Sequence, residues 1–367
     1  MHVNGKAYLA LWVDENNNSV KIINQLKIPF EFDICEITSC LELVNAIKDM
    51  RLRGAPLIGA AGAYAIWLAC IEANKNLNPA EFLVNAYNII VSARPTAVNL
   101  KYATTIIYNK VIAESDSSKW QQIALKESNI FYGNEIENFK KIGAYGLEII
   151  EKISLQKKGE AVNILTHCNA GWLACGDYGT ATAPIYFAHE KGIKIHVWVD
   201  ETRPRFQGAK LTAWEMHNEN IPFTVIADNT GGYLMQENMV DMVIVGADRV
   251  AANGDVANKV GTYLKALAAR DNNVPFYVAL PSSTIDFELK QGVHNISIEK
   301  RNEDEIVKVD GLTNNMNVEI VDIMPSNYSS ANYAFDITPA RLVTGIITEK
   351  GIVEADTEKI LKLFSEK

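Results

Sequence analysis

Beyond residue 160 the chain alternates short apolar runs with helical stretches, and few architectures accept that pattern. The runs cover 162–165, 195–199, 223–226, 242–245, 276–280 and 318–321. Each has the length of a strand, and the helical stretch between two runs returns the chain across one face of a sheet, so the strands pair in parallel. The expectation is an α/β fold: a Rossmann-like parallel sheet with helices on both faces. The glycines after the first run, at 171, 176 and 179, do not fit G-x-G-x-x-G, so no nicotinamide cofactor is expected.

Such sheets bind ligands beyond the carboxyl ends of their strands, so the residues following each run share one edge. The first run leads into Thr166-His167-Cys168-Asn169-Ala170-Gly171, with a helix expected near Thr180, and the second into Asp200-Glu201-Thr202-Arg203-Pro204-Arg205-Phe206-Gln207-Gly208. The third is followed by Asp228-Asn229, the fourth by Gly246-Ala247-Asp248-Arg249 and the fifth by Pro281-Ser282-Ser283-Thr284. Cys168 and Asp248 would place a thiol and a carboxyl group within reach of one bound molecule, the equipment of acid and base chemistry. Each also has a plainer reading, Cys168 as a small core residue and Asp248 as a helix cap or a partner of Arg249. The loop 251–259 is expected to enter a helix near Val260, with Asn258 and Lys259 at its start. There Lys259 would face an anionic ligand or, on the plainer reading, solvent.

The first third of the chain is different in character. Tyr8-Leu9-Ala10-Leu11-Trp12-Val13, an asparagine-rich turn at 14–18 and Val20-Lys21-Ile22-Ile23 predict a hairpin. Helices are expected over 40–50, 57–69, 96–113 and 119–153, with Gly133-Asn134-Glu135 as a cap within the last. Arg53-Gly54-Ala55-Pro56 and Arg94-Pro95-Thr96-Ala97 both set an arginine before a proline at a helix start, where free amides and a guanidinium would hold phosphate or carboxylate. With 367 residues, two domains are expected: a smaller, mainly helical one with a short antiparallel sheet over 1–130, and the Rossmann-like one over 131–367.

A net charge of −9 argues against general nucleic-acid or anionic-membrane partners. The five scattered cysteines show neither a CxxC pair nor zinc spacing, so no metal and no disulfide is expected. The first residues lack a signal peptide's pattern, and no run is expected to suffice for a membrane helix, which leaves a reducing cytoplasm as the expected location.

Eight motifs in order resemble the methylthioribose-1-phosphate isomerase family. They are Arg53-Gly54-Ala55-Pro56, Arg94-Pro95-Thr96-Ala97-Val98-Asn99-Leu100, Cys168-Asn169-Ala170-Gly171, Tyr178-Gly179-Thr180-Ala181, Glu201-Thr202-Arg203-Pro204 with Gln207-Gly208, Gly246-Ala247-Asp248-Arg249, Asn258-Lys259-Val260-Gly261-Thr262-Tyr263 and Ala334-Phe335-Asp336-Ile337-Thr338-Pro339. The resemblance implies isomerisation of 5-methylthioribose 1-phosphate to the ribulose 1-phosphate in methionine salvage, by a homodimer without cofactor. It implies Cys168 and Asp248 as the catalytic pair, and Arg53, Gly54, Ala55, Arg94, Gln207, Asn258 and Lys259 as holding a sugar 1-phosphate. Asn24-Gln25 and Trp172-Leu173 depart from the pattern in minor ways. Related isomerases of 5-deoxyribose 1-phosphate and ribose 1,5-bisphosphate, and regulatory subunits of a translation-initiation nucleotide-exchange factor, share the superfamily. The resemblance implies that those subunits lack the catalytic pair.

Overall fold

The computed structural model describes residues 1–94, 98–325 and 327–365. After a short antiparallel ladder of His2–Val3 and Lys6–Ala7, the chain forms a three-stranded antiparallel sheet of β1 (Leu11–Asp14), β2 (Ser19–Ile23) and β3 (Ile34–Ile37), the last of which extends the expected hairpin. Helix α1 (Cys40–Lys48) starts at a capping box, in which the Ser39 hydroxyl accepts from the Glu42 amide and the Glu42 carboxylate accepts from the Ser39 amide. Helices α2 (Ala55–Ala73), α3 (Pro79–Ser92), α4 (Val98–Ile112) and α5 (Trp120–Gln156) follow. Pro95, Thr96 and Ala97, where the second arginine–proline helix start was expected, lie outside the described residues.

Two expectations change here. Helix α2 does have the length and apolarity of a membrane span, but all of it except Ile71 and Glu72 is buried, and α1, α3, α4 and α5 pack around it. A helix apolar on every side is the central helix of a core. Gly133-Asn134-Glu135 caps nothing: it lies inside α5, which runs without a break through residue 130, where the two domains were expected to divide.

The parallel sheet is built from β4 (Val162–Thr166), β5 (Ile195–Asp200), β6 (Phe223–Ile226), β7 (Met242–Val245), β10 (Phe276–Ala279) and β15 (Gly345–Thr348), closed by antiparallel β16 (Gly351–Val353). Its order is β16-β15-β10-β7-β4-β5-β6. A second sheet, β11-β8-β9-β14, joins Ile285–Asp286 (β11), Arg249–Ala251 (β8), Val256–Lys259 (β9) and Phe335–Thr338 (β14). Five of the expected strands are in place. The sixth, Val318–Asp322 (β13), instead pairs with Lys308–Leu312 (β12) in a separate, largely exposed hairpin, and the parallel sheet takes β15 in its stead.

Side chains alternate across this sheet as a strand's two-residue period requires. Ile164, Met242, Ile244 and Ala279 face one apolar cluster, which continues through α5 and α2 to β2. Leu165, Val243, Val245 and Val278 face a second, under α9 (Thr230–Gln236) and α10 (Thr262–Asp271). Both faces are therefore covered. From β4 the order runs outward through β5 and β6 on one side and through β7, β10 and β15 on the other. The reversal lies between β4 and β7, and a crevice opens at the strand ends there.

Candidate functional site

Cys168 follows β4 and Asp248 follows β7, so the two flank the point where the strand order reverses. A cleft of about 50 Å³ is lined by Arg53, Gly54, Ala55, Arg94, Cys168, Gln207, Asp248 and Lys259, together with apolar Met50, Ile58, Ile296, Ile298 and Phe335. Asn258 lines the adjoining recess with Cys168 and Asp248. All nine residues singled out in the sequence thus gather at one place. Met50, Arg53 and Gln207 also form part of the wall of an outer chamber of about 620 Å³.

The backbone of Cys168 is left-handed, with φ of 65°, a conformation that costs energy in any residue with a Cβ and has to be held. Its amide donates to Thr202 Oγ1 at 2.8 Å, and its carbonyl accepts from Thr212 Oγ1 at 2.7 Å. Burial pushes the thiol's pKa up, Arg53 and Lys259 draw it down, and Asp248 pushes it up again. Burial likewise raises the Asp248 carboxyl, against the pull of Lys259, Arg53 and Arg94. No hydrogen bond reaches that carboxyl from the described residues. Its neighbour Arg249 is turned away and pairs with Asp286, so the alternative Asp248–Arg249 pair does not form.

Lys259 and Asn258 occupy β9 rather than a helix start, and α10 begins only at Thr262. Nor is Lys259 a surface lysine: it is 7% exposed, donates to the Ala334 carbonyl at 3.0 Å and stands over the Phe335 ring. Burial lowers its ammonium pKa, while Cys168 and Asp248 raise it. The short helix α6 (Trp172–Cys175) follows the cysteine loop, and the helix expected near Thr180 is α7 (Ala183–Glu190), leaving 176–182 as loop.

On the opposite wall, Gly54 has a φ of 108° and caps α2 without a side chain. A Cβ there would run into Ala174, so the close approach requires glycine. With Pro56 in the first turn, the Ala55 and Leu57 amides lie at the positive end of the helix. The Arg53 guanidinium forks onto Asn169, with Nη1 2.6 Å from Oδ1 and Nη2 2.9 Å from the carbonyl. Arg94 Nη2 donates to Glu299 at 3.2 Å, while Arg94 Nε and Gln207 Oε1 are buried with no partner among the described residues. Such orphaned polar atoms suit a site that awaits a polar ligand. Taken together, the cleft offers three cationic side chains, helix amides and two unspent hydrogen-bonding groups around a thiol and a carboxyl.

The sequence did not reveal the apolar wall of Met50, Ile58, Ile296 and Ile298, because 296–298 forms neither helix nor strand and carries no motif. His167, Asp200 and Asp228 bring possible metal-ligand atoms within 4.8 Å of one another. Lys265 Nζ lies 2.6 Å from Asp200 Oδ2, so an ammonium already answers the charge of that cluster.

Three kinds of similarity bear on this site. The initiation factor 2 subunit family matches residues 51–355. A protein named methylthioribose-1-phosphate isomerase, from Desulfatibacillum aliphaticivorans, is 52% identical over 368 residues, covering 100% of both chains. Among solved structures, 5-methylthioribose 1-phosphate isomerase from Pyrococcus horikoshii aligns with a TM-score of 0.84 and 37% identity, over 99% of this chain and 97% of that one. A translation initiation factor eIF-2B delta subunit from A. fulgidus aligns with a TM-score of 0.78 and 35% identity, over 97% of this chain and 100% of that one.

Proposed function

This chain belongs to the initiation factor 2 subunit family, among relatives named methylthioribose-1-phosphate isomerase, and on that footing we propose that it converts 5-methylthioribose 1-phosphate to 5-methylthioribulose 1-phosphate. The observation that carries the reading is the meeting of Cys168 with a partly buried Asp248 carboxyl free of hydrogen bonds from the described residues, in a cleft edged by Arg53, Arg94 and Lys259.

Phosphate on the anomeric oxygen bars the ordinary route to a free aldehyde, so the ring opens with the phosphate attached. Asp248, which burial favours in its protonated form, gives its proton to the ring oxygen as the bond from that oxygen to C1 breaks. Cys168 as thiolate removes the C2 hydrogen, leaving an enol between C1 and C2. The thiol then returns that hydrogen to C1, and the C2 hydroxyl gives its proton back to Asp248 as the ketone forms. Each group ends as it began. Arg53, Arg94, Lys259 and the α2 amides hold the phosphate and hydroxyls, with Gln207 and Asn258 beside them. The apolar wall suits a thioether or methyl group at C5. The proposal extends to a homodimer working in a reducing cytoplasm, where Cys168 stays a thiol.

The test supplies 5-methylthioribose 1-phosphate, 5-deoxyribose 1-phosphate and ribose 1,5-bisphosphate in parallel and reads ketose formation by NMR. The expected result is the highest kcat/KM on the first. Binding without product from any of the three would overturn the reading in favour of a sensing subunit.

A further inference from the structure

Arg53 depends on Asn169 for its aim, and Asn169 in turn depends on how its amide is turned. An amide's oxygen and nitrogen ends are told apart by their partners. Here Nδ2 lies 3.1 Å from Thr212 Oγ1 and 3.0 Å from Glu215 Oε1. The Thr212 proton is committed to the Cys168 carbonyl, so towards Asn169 its hydroxyl can only accept. Glu215 Oε1 also only accepts, and takes the Leu173 amide at 2.9 Å as well. Both neighbours of Nδ2 are therefore acceptors, which locks Oδ1 towards Arg53.

Glu215 lies on α8 (Ala213–Asn218), is fully buried, and is absent from the walls of the cleft and its recess. Its other oxygen takes the Tyr186 hydroxyl at 2.7 Å. The carboxylate occupies the space a side chain at Gly171 would need, so glycine there admits it into the cysteine loop. We propose that Glu215 is a positioning residue of the isomerase: through Asn169 it sets the Arg53 fork, and through the shared Thr212 hydroxyl it steadies the strained backbone of Cys168. This rests on the isomerase reading above. Because Oε1 accepts whether or not the acid is ionised, the lock needs the acceptor rather than the charge. A proton would sit on Oε2, where the Tyr186 hydroxyl can turn from donor to acceptor.

Two variants separate the lock from simple packing. Glu215→Met keeps the bulk and removes the acceptor, whereas Glu215→Gln keeps an oxygen for Asn169 and Leu173. With 5-methylthioribose 1-phosphate, the methionine variant is expected to lose about 30-fold in kcat/KM, chiefly through a higher KM, and the glutamine variant to stay within about 5-fold of wild type. A folded methionine variant with wild-type KM and kcat overturns the proposal, and so does a glutamine variant that falls as far as the methionine one. Should Glu215→Met fail to fold, Asn169→Ser decides, since it leaves Glu215 bonded to Leu173 and Tyr186 while removing the lock. A raised KM supports the proposal and an unaltered one overturns it. Wild type that makes no product sinks the isomerase reading and this inference with it. Normal wild-type turnover beside indifferent variants sinks this inference alone.

Discussion

Asp200 and Asp248 stand at the carboxyl ends of two strands of one sheet, and the protein treats them in opposite ways. Asp200 closes β5 in full burial, with His167 Nδ1 at 3.0 Å and Lys265 Nζ at 2.6 Å from the same oxygen. Asp248, past β7, has cations nearby but no hydrogen bond to its carboxyl from the described residues. A buried charge that serves the fold is given partners, because an unpaired one is costly. A partly buried acid with no hydrogen bond from the described residues keeps part of that cost, and at a strand end beside a thiol it is poised to exchange a proton. On this contrast, Asp200 is bonded through Oδ2 while its Oδ1 has no partner among the described residues, and the chemistry is marked by Asp248, to which the described residues give no hydrogen bond at all.

Asparagine at each position should therefore produce opposite damage. Asp248→Asn is expected to lower kcat by about 10³-fold, within the range of a lost general acid, while melting at or above the wild-type temperature. A large loss of stability with modest loss of rate would break the contrast. Asp200→Asn takes the carboxylate from the Lys265 ammonium, leaving it the Asp228 carbonyl, and is expected to cost about 3 kcal/mol in urea unfolding, with kcat of the folded fraction within about tenfold of wild type. Equal catalytic loss in both variants would show that the two acids are not separated by role.

Another buried acid sharpens the comparison. Glu135 on α5 accepts from Ser283 Oγ at 2.8 Å and Asn138 Nδ2 at 3.2 Å, without a cation, and burial pushes its pKa up to about 7. A carboxyl raised in the folded state adds stability that is fully present below its unfolded value of 4.5 and is lost as pH rises through 7. Glu135→Gln should therefore gain on wild type by about 3 kcal/mol in unfolding free energy between pH 4.5 and pH 8. A difference that does not change with pH would mean that the buried carboxyl is stabilised by more than its two neutral donors.

Much of this arrangement was legible in the chain. Strand runs followed by Cys168-Asn169 and by Gly246-Ala247-Asp248 announce the sheet and its ligand edge, because the apolar period and the polar strand ends are local signals. What stayed hidden depends on partners distant in sequence. Val318–Asp322 has a strand's pattern and is a strand, but nothing in its own residues says that it pairs with Lys308–Leu312 outside the main sheet. Gly345–Thr348 takes its place from a run of only four residues led by glycine. Lys259 was expected at a helix start, at the end of a loop over 251–259, whereas pairing with Phe335 keeps it on a strand. The turn of the Asn169 amide, set by Thr212 and Glu215 more than forty residues away, has no local signature at all.

The most direct test of the whole account is the turnover of 5-methylthioribose 1-phosphate by Cys168→Ser, with circular dichroism and melting temperature recorded on the same sample. A serine hydroxyl fits the space but does not ionise to carry the C2 hydrogen, so kcat should fall by about 10³-fold or more with the fold intact. A folded serine variant that turns over within about tenfold of wild type would contradict the assignment of Cys168.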